Sequence, residues 1–258
     1  MILGKPLKYS VILIITALSL IGCQAGQIQP VDQSPTPTEN ATDQRWLYVA
    51  LGDSEALCCG KKTYPDFYAE FIEADLGVAV ELQNLAEFGS TSEDLLELLE
   101  ESEVQNLLEK ARVVTIVTTI NDLLRCEMRD TPCIEAQLPV AMANYQKIID
   151  RVVALTSPGT TIIRTQTYDN PLVGNWKELN IFEERVVMFD LWNQSIRLVA
   201  DRNNLPYADV YLDFNGPNGD QDPNEKGYIA NDYFHNTEEG AYRIAELLRD
   251  LGYAPYVP

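Results

Sequence analysis

His235 is the only histidine in the 258-residue chain, so any imidazole acid–base chemistry must use it. Asp232 stands three residues before it. On one tight turn a carboxylate at that offset reaches the far ring nitrogen and fixes the tautomer, which is the arrangement that activates a serine hydroxyl. Ser54, in Gly52-Asp53-Ser54, is the candidate nucleophile. Each of these residues also has a plainer explanation: a lone histidine is most often a core or surface residue, and Gly-Asp-Ser is a common turn because Asp and Ser bond to the local backbone. Asn121, followed by Asp122, reads either as a helix cap or as a carboxamide N–H donor aimed at a developing oxyanion, where one donor is worth about 3 kcal/mol. Gly89 reads either as a turn before a helix or as a bare backbone N–H that a bound acyl group can approach.

These residues gain weight from the elements that must hold them. Apolar, β-branched runs at 46–51, 78–85, 112–119, 160–165 and 208–212 predict strands, and RVVTIVTT at 112–119 suits a parallel strand covered on both faces. Helical patterns fall between them, at 64–76, after the capping signals Ser90-x-x-Glu93 and Thr91-x-x-Asp94, at 135–155, at 181–202 and at 237–251. Regular alternation predicts a single doubly wound, three-layer α/β/α domain with a parallel sheet of about five strands, flavodoxin-like in type, with its ligand crevice at the carboxyl ends of the strands. Ser54, Gly89 and Asn121 each lie just beyond a predicted strand.

The chain carries 39 acidic and 19 basic side chains, a net charge of −20, which removes the basic surface that nucleic-acid binding needs. One histidine excludes paired-histidine zinc motifs, and no cofactor or metal is called for. Residues 1–22 read as a signal peptide: Lys5 and Lys8 precede an apolar run from Ser10 to Ile21 that is too short to span a membrane. Its end, Leu20-Ile21-Gly22-Cys23, resembles the lipobox of bacterial lipoproteins, in which Cys23 would be lipidated and become the new N-terminus. The alternative is a secretory signal with an incidental cysteine; either way the protein is exported. Loss of 1–22 removes two lysines and no acid, so the acidity belongs to the exported part, which anionic lipid would repel and a covalent anchor would hold at the membrane. Residues 23–44, rich in Gln, Pro, Thr and Ser, form a tether reaching on the order of 25 Å, and residues 45–258 form the folded domain.

Four short blocks in this order resemble the SGNH hydrolases, also called GDSL esterases and lipases. They are Gly52-Asp53-Ser54, with Glu55 where leucine is usual; the glycine Gly89; Asn121-Asp122, with Thr119 where glycine is usual; and Asp232-Tyr233-Phe234-His235 before a family-like start to the last helix. The resemblance spans about residues 46–251. It implies Ser54 as nucleophile, His235 as general base and acid, Asp232 as its orienting carboxylate, and an oxyanion hole from the backbone N–H groups of Ser54 and Gly89 and the side chain of Asn121. The expected protein is a monomeric, extracytoplasmic serine esterase, lipid-anchored at Cys23 in the bacterial cell envelope and facing outward from the cytoplasmic membrane. Its substrate would be a small-molecule, lipid or acylated-glycan ester. Alternatives of the same fold are a carbohydrate O-acetyl esterase, a lysophospholipase, or a non-catalytic surface-binding lipoprotein.

Cys58, Cys59, Cys126 and Cys133 are an even set in an exported chain, which favours disulfides in one of three connectivities over a thiolate nucleophile or metal site. The leucine-rich, acidic segment 93–109 reads as one amphipathic helix. Gly216 to Lys226 has the Asp and Asn content of a calcium loop without EF-hand spacing and reads as a polar loop; 168–177 reads as a loop with Trp176 placed to line an acyl pocket.

Overall fold

The computed structural model describes residues 45–126, 130–157 and 159–256; the segments expected to be a signal peptide (1–22) and a tether (23–44), with Cys23, lie outside them. The first strand, β1 (Arg45–Gly52), is buried along most of its length, and a short 3-10 turn (Ser54–Ala56) follows it directly. Then come α1 (Tyr64–Leu76), β2 (Ala79–Asn84), α2 (Ser92–Leu98), α3 (Ser102–Leu108), β3 (Val113–Val117), α4 (Ile120–Leu124) and α5 (Thr131–Leu155). The chain closes with β4 (Ile162–Gln166), α6 (Val173–Glu178), α7 (Phe182–Arg202), β5 (Tyr207–Ala208), α8 (Val210–Asn215) and α9 (Glu238–Asp250).

The five strands form one parallel sheet in the order β2-β1-β3-β4-β5. All five residues of β3 are buried, as its unbroken β-branched run requires when helices cover both faces. α1 packs with α9, and α5 packs with α2, α4 and α7, so the sheet lies between two helical layers, as expected from the sequence. The order reverses at β1, whose neighbours are β2 and β3, and in such sheets the ligand crevice opens at that switch point. Ser54 begins there. Among the described residues, no helix is long and apolar enough to cross a membrane.

Three local expectations need correction. The segment 93–109 is two helices, α2 and α3, because the break lets Leu95, Leu99, Val104 and Leu108 all reach the core. It also puts Glu101 and Glu103 at a new helix N-terminus, where the dipole favours acids. The expected strand 208–212 stops at Ala208, because the Asp209 side chain accepts from the Leu212 N–H at 3.2 Å and starts α8. The expected loop 168–177 contains the start of α6, with Trp176 buried on it. Of the two capping signals, Thr91-x-x-Asp94 forms the box: the Asp94 carboxylate accepts from the Thr91 N–H at 2.8 Å and hydroxyl at 2.6 Å.

Candidate active site

Gly52 ends β1 with φ +141°, and a β-carbon there would lie 1.8 Å from the Val117 carbonyl oxygen. Only glycine permits that close approach of β1 to β3, after which the chain turns at the strand's carboxyl end. Asp53 points inward. Its buried carboxyl accepts from the Tyr168 hydroxyl at 2.5 Å and the Glu55 N–H at 3.1 Å, and burial pushes it up to about 7. The turn that follows presents Ser54.

The His235 ring joins Ser54 to Asp232. Its Nε2 lies 3.0 Å from Ser54 Oγ and its Nδ1 2.7 Å from Asp232 Oδ2. With a carboxylate accepting from Nδ1–H, Nε2 is left as the acceptor toward the serine hydroxyl. Asp232 Oδ1 accepts the backbone N–H groups of Phe234 and His235, each at 3.0 Å, so the three-residue offset is locked by a local turn. Desolvation pushes the Asp232 carboxyl upward, but the hydrogen bonds from the His235 ring and these two N–H groups prevail and hold it below its ordinary value.

The two remaining loops at the crevice are bonded to each other. Asn121 donates a carboxamide N–H to the Ser90 carbonyl at 2.9 Å, leaving its second N–H for a ligand. Asp122 accepts from the Ser92 N–H at 2.8 Å and hydroxyl at 2.7 Å. The chain therefore fixes the position of Asn121 relative to the loop carrying Gly89. Gly89 has φ +76° with open space where a side chain would stand, so its place in the crevice is unobstructed. Thr119 keeps φ +103°, a glycine-like conformation at the position where family members usually carry glycine. The Trp192 indole N–H donates to its hydroxyl at 3.1 Å.

Cys58 pairs with Cys59 and Cys126 with Cys133, one of the three connectivities open from sequence. Ligating atoms of Cys58, Cys59, Asp232 and His235 come within 4.8 Å of one another, but the Cys58–Cys59 pairing occupies both sulfurs. In the segment from Gly216 to Lys226, the Asp222 carboxylate accepts from the Asn224 N–H at 3.0 Å and Lys226 donates to the Asp213 and Phe214 carbonyls. The first bond is internal to a polar loop, and the Lys226 bonds tie that loop to the end of α8.

A largely apolar slot opens beside the Ser54 turn, lined by Glu55, Phe234, Tyr168, Trp176 and Phe189 among others. Trp176 is one of its walls. Several polar partners escaped sequence reasoning. Glu55 is buried rather than facing solvent, and its carboxyl accepts from Asn236 Nδ2. Asp169, buried in the loop after β4, lines the same slot. The one available signal was an acid next to the candidate nucleophile where an apolar residue is usual.

The chain is similar along most of its length to the spore germination lipase LipC of Bacillus licheniformis, 25% identical over 218 residues, covering 80% of this chain and 96% of that protein. Its fold is similar to that of the lipase Lip_vut3 from a goat rumen metagenome (TM-score 0.69, 22% identity, 81% of this chain and 99% of that one). It also resembles an acetyl xylan esterase from Geobacillus stearothermophilus in fold (TM-score 0.57, 20% identity, 83% and 97%). The GDSL-like Lipase/Acylhydrolase family model matches residues 50–243, which include every block of the crevice described above, and the chain belongs to that family of ester hydrolases.

Proposed function

We propose that the protein is an exported, lipid-anchored serine esterase that hydrolyses carboxylic esters through Ser54, His235 and Asp232. The observation that carries this reading is the continuous contact from Asp232 through His235 to Ser54 at 2.7 and 3.0 Å. As Ser54 Oγ bonds to the ester carbonyl carbon, its proton passes to His235 Nε2, and Asp232 stabilises the imidazolium that forms. The carbonyl oxygen becomes an oxyanion, held by the backbone N–H groups of Ser54 and Gly89 and the free carboxamide N–H of Asn121. Collapse breaks the bond to the alkoxy oxygen, His235 returns the proton to the leaving alcohol, and Ser54 holds the acyl group. Water then repeats the sequence and releases the acid.

The test is covalent labelling of Ser54 by a fluorophosphonate together with turnover of short-chain aryl esters. Unchanged turnover by purified Ser54→Ala sinks the mechanism. A non-catalytic binding role requires intact Ser54 to resist the probe, and the assembled Ser54–His235–Asp232 contacts favour catalysis over it. Carbohydrate O-acetyl ester hydrolysis is the second reading, favoured by the fold likeness to an acetyl xylan esterase. Attachment through Cys23 rests on the Leu20-Ile21-Gly22-Cys23 sequence, and Cys23→Ser should release the protein from the membrane fraction.

A further inference from the structure

The loop after Ser54 carries the adjacent cysteines Cys58 and Cys59 to the contact between Asp232 and His235. Its backbone is held from both catalytic loops: the Cys58 N–H donates to the Ser54 carbonyl at 3.0 Å, and the Cys59 N–H to the Asn236 carbonyl at 3.1 Å. Cys59 Sγ stands 4.0 Å from Asp232 Oδ2, which lies 2.7 Å from His235 Nδ1. One ligand atom from each of Cys58, Cys59, Asp232 and His235 lies within 4.8 Å of all the others. Cys59 and Asp232 are exposed, so an ion reaches them from solvent and their side chains have room to shift.

Two thiolates, an imidazole and a carboxylate make a four-ligand set that suits Zn²⁺. With Zn–N near 2.0 Å and Zn–S near 2.3 Å, the ligand atoms of a tetrahedral site lie roughly 3.3–3.8 Å apart, so this cluster needs to close by only about 1 Å. While Cys58 and Cys59 are bonded to each other, neither sulfur is a thiolate. We propose that the Cys58–Cys59 pair gates a zinc site: once it is reduced, the two cysteines, Asp232 and His235 bind one Zn²⁺, and the bound ion switches off ester hydrolysis. The reductant is a small dithiol. One of its thiolates attacks a sulfur of the pair, so the Cys58–Cys59 bond breaks and a mixed disulfide forms. Its second thiolate displaces the protein sulfur, and the reagent leaves as a cyclic disulfide while the protein gains two electrons and two protons. Zinc then replaces both thiol protons, which pass to water. On His235 the metal takes Nδ1, the nitrogen on the Asp232 side, and the ring proton moves to Nε2. An Nε2–H donates toward Ser54 and cannot take the serine proton, so turnover stops. The loss of turnover rests on Ser54 being the nucleophile; the metal site does not.

The experiment uses the purified full chain, oxidised or treated with dithiothreitol that is then removed without air. Zinc binding is read by competition with a chromophoric chelator, thiolate ligation by the charge-transfer absorption of Co²⁺ in place of Zn²⁺, and turnover on a short-chain aryl ester. The reduced protein should bind one zinc ion per chain and show the cobalt–thiolate absorption, and about 10 µM zinc should lower its turnover about tenfold or more until EDTA is added. The oxidised protein has the same 39 acidic side chains and should keep its turnover and show no such absorption, which separates this site from zinc held by surface carboxylates. Cys58→Ser/Cys59→Ser should lose both responses, and Cys126→Ser/Cys133→Ser should retain them. Each response compares one preparation with and without metal, so differences in basal turnover between variants cancel. Absence of the cobalt–thiolate absorption in the reduced protein, or its survival in Cys58→Ser/Cys59→Ser, overturns the site. Zinc binding that leaves turnover of the reduced protein unchanged overturns the switch. An oxidised protein that neither labels at Ser54 nor turns over esters defeats the serine reading alone, and the chelator and cobalt measurements still decide the zinc site.

Discussion

Asn236, the residue after the histidine, donates its carboxamide N–H to the carboxyl of Glu55, the residue after the serine. This bond runs beside the contact from His235 to Ser54 and braces two loops 181 residues apart in sequence. Because Asn236 acts through the positions of its neighbours, Asn236→Ala should lower kcat about tenfold with little change in KM. Asn236→Asp adds a further carboxyl beside buried Glu55, which already faces the charge of Asp169, and should cost more in both kcat and Tm. Steady-state kinetics and thermal unfolding on the two variants test this, and a rise confined to KM would contradict the bracing role.

Ser54→Ala and His235→Ala should each reduce kcat on aryl esters by about 10⁴-fold or more, and the double variant should be little worse than either, because the two groups act as a unit. Circular dichroism should be unchanged, since Ser54 and His235 lie in short turns and carry little of the core. Additive losses in the double variant would mean the two side chains act in separate steps.

Asn121 has one N–H tied to the Ser90 carbonyl and one free. Asn121→Ala should therefore lower kcat by about 10²-fold or more, equivalent to roughly 3 kcal/mol, while KM stays within a few-fold. Gly89→Ala meets no steric obstacle, so its effect comes from the φ of +76° and should destabilise the protein by about 1 kcal/mol, read as a lower urea midpoint.

Stability should be greatest in mildly acidic solution. Asp53 and Asp169 titrate near 7 when folded, because burial disfavours their charge, but near 4 when unfolded. Between about pH 4 and 7 the unfolded chain has released protons that the folded chain retains, so stability falls as pH rises through that window. Asp75, held low first by its hydrogen bond to Arg249, and Asp94, held low by Thr91, act in the opposite sense and lose their contribution as pH falls below about 4. Tm measured from pH 3 to 8 should peak near pH 4–5, and the decline toward neutrality should be shallower in Asp53→Asn. A Tm that climbs steadily to pH 7 would contradict the burial of these acids.

The Cys126–Cys133 pair closes a loop of seven residues' separation with Cα atoms 5.7 Å apart. Loop-closure entropy assigns such a cross-link about 2–3 kcal/mol. Replacing both cysteines by serine should lower the unfolding free energy by that amount, read by urea titration, while Ser54 remains reactive toward the fluorophosphonate.

Much of the fold was legible because its signals are local. A β-branched run such as 112–119 declares a strand covered on both faces, and Thr91-x-x-Asp94 declares a helix start, from a few neighbouring residues. Asp232 and His235 form their bond within one turn, so their spacing alone predicts it. The break between α2 and α3 and the early end of β5 were not legible. Whether Leu99 and Val104 both reach the core, or the Asp209 side chain caps α8, depends on what packs against them, and tertiary burial outweighs the intrinsic preference.

By itself the sequence determined which residue types were available: one imidazole, a carboxylate three positions before it, a serine and an asparagine each following a strand, and an apolar run from Ser10 to Ile21 shortly before Cys23. Only the tertiary structure decided that His235 Nε2 stands 3.0 Å from Ser54 Oγ, that Glu55 is buried under Asn236, and that Glu55, Tyr168, Trp176 and Phe234 come together along one slot. The reason is physical. Periodicity and capping report on near neighbours, whereas desolvation and hydrogen-bond satisfaction are set by residues distant in the chain that the sheet brings together.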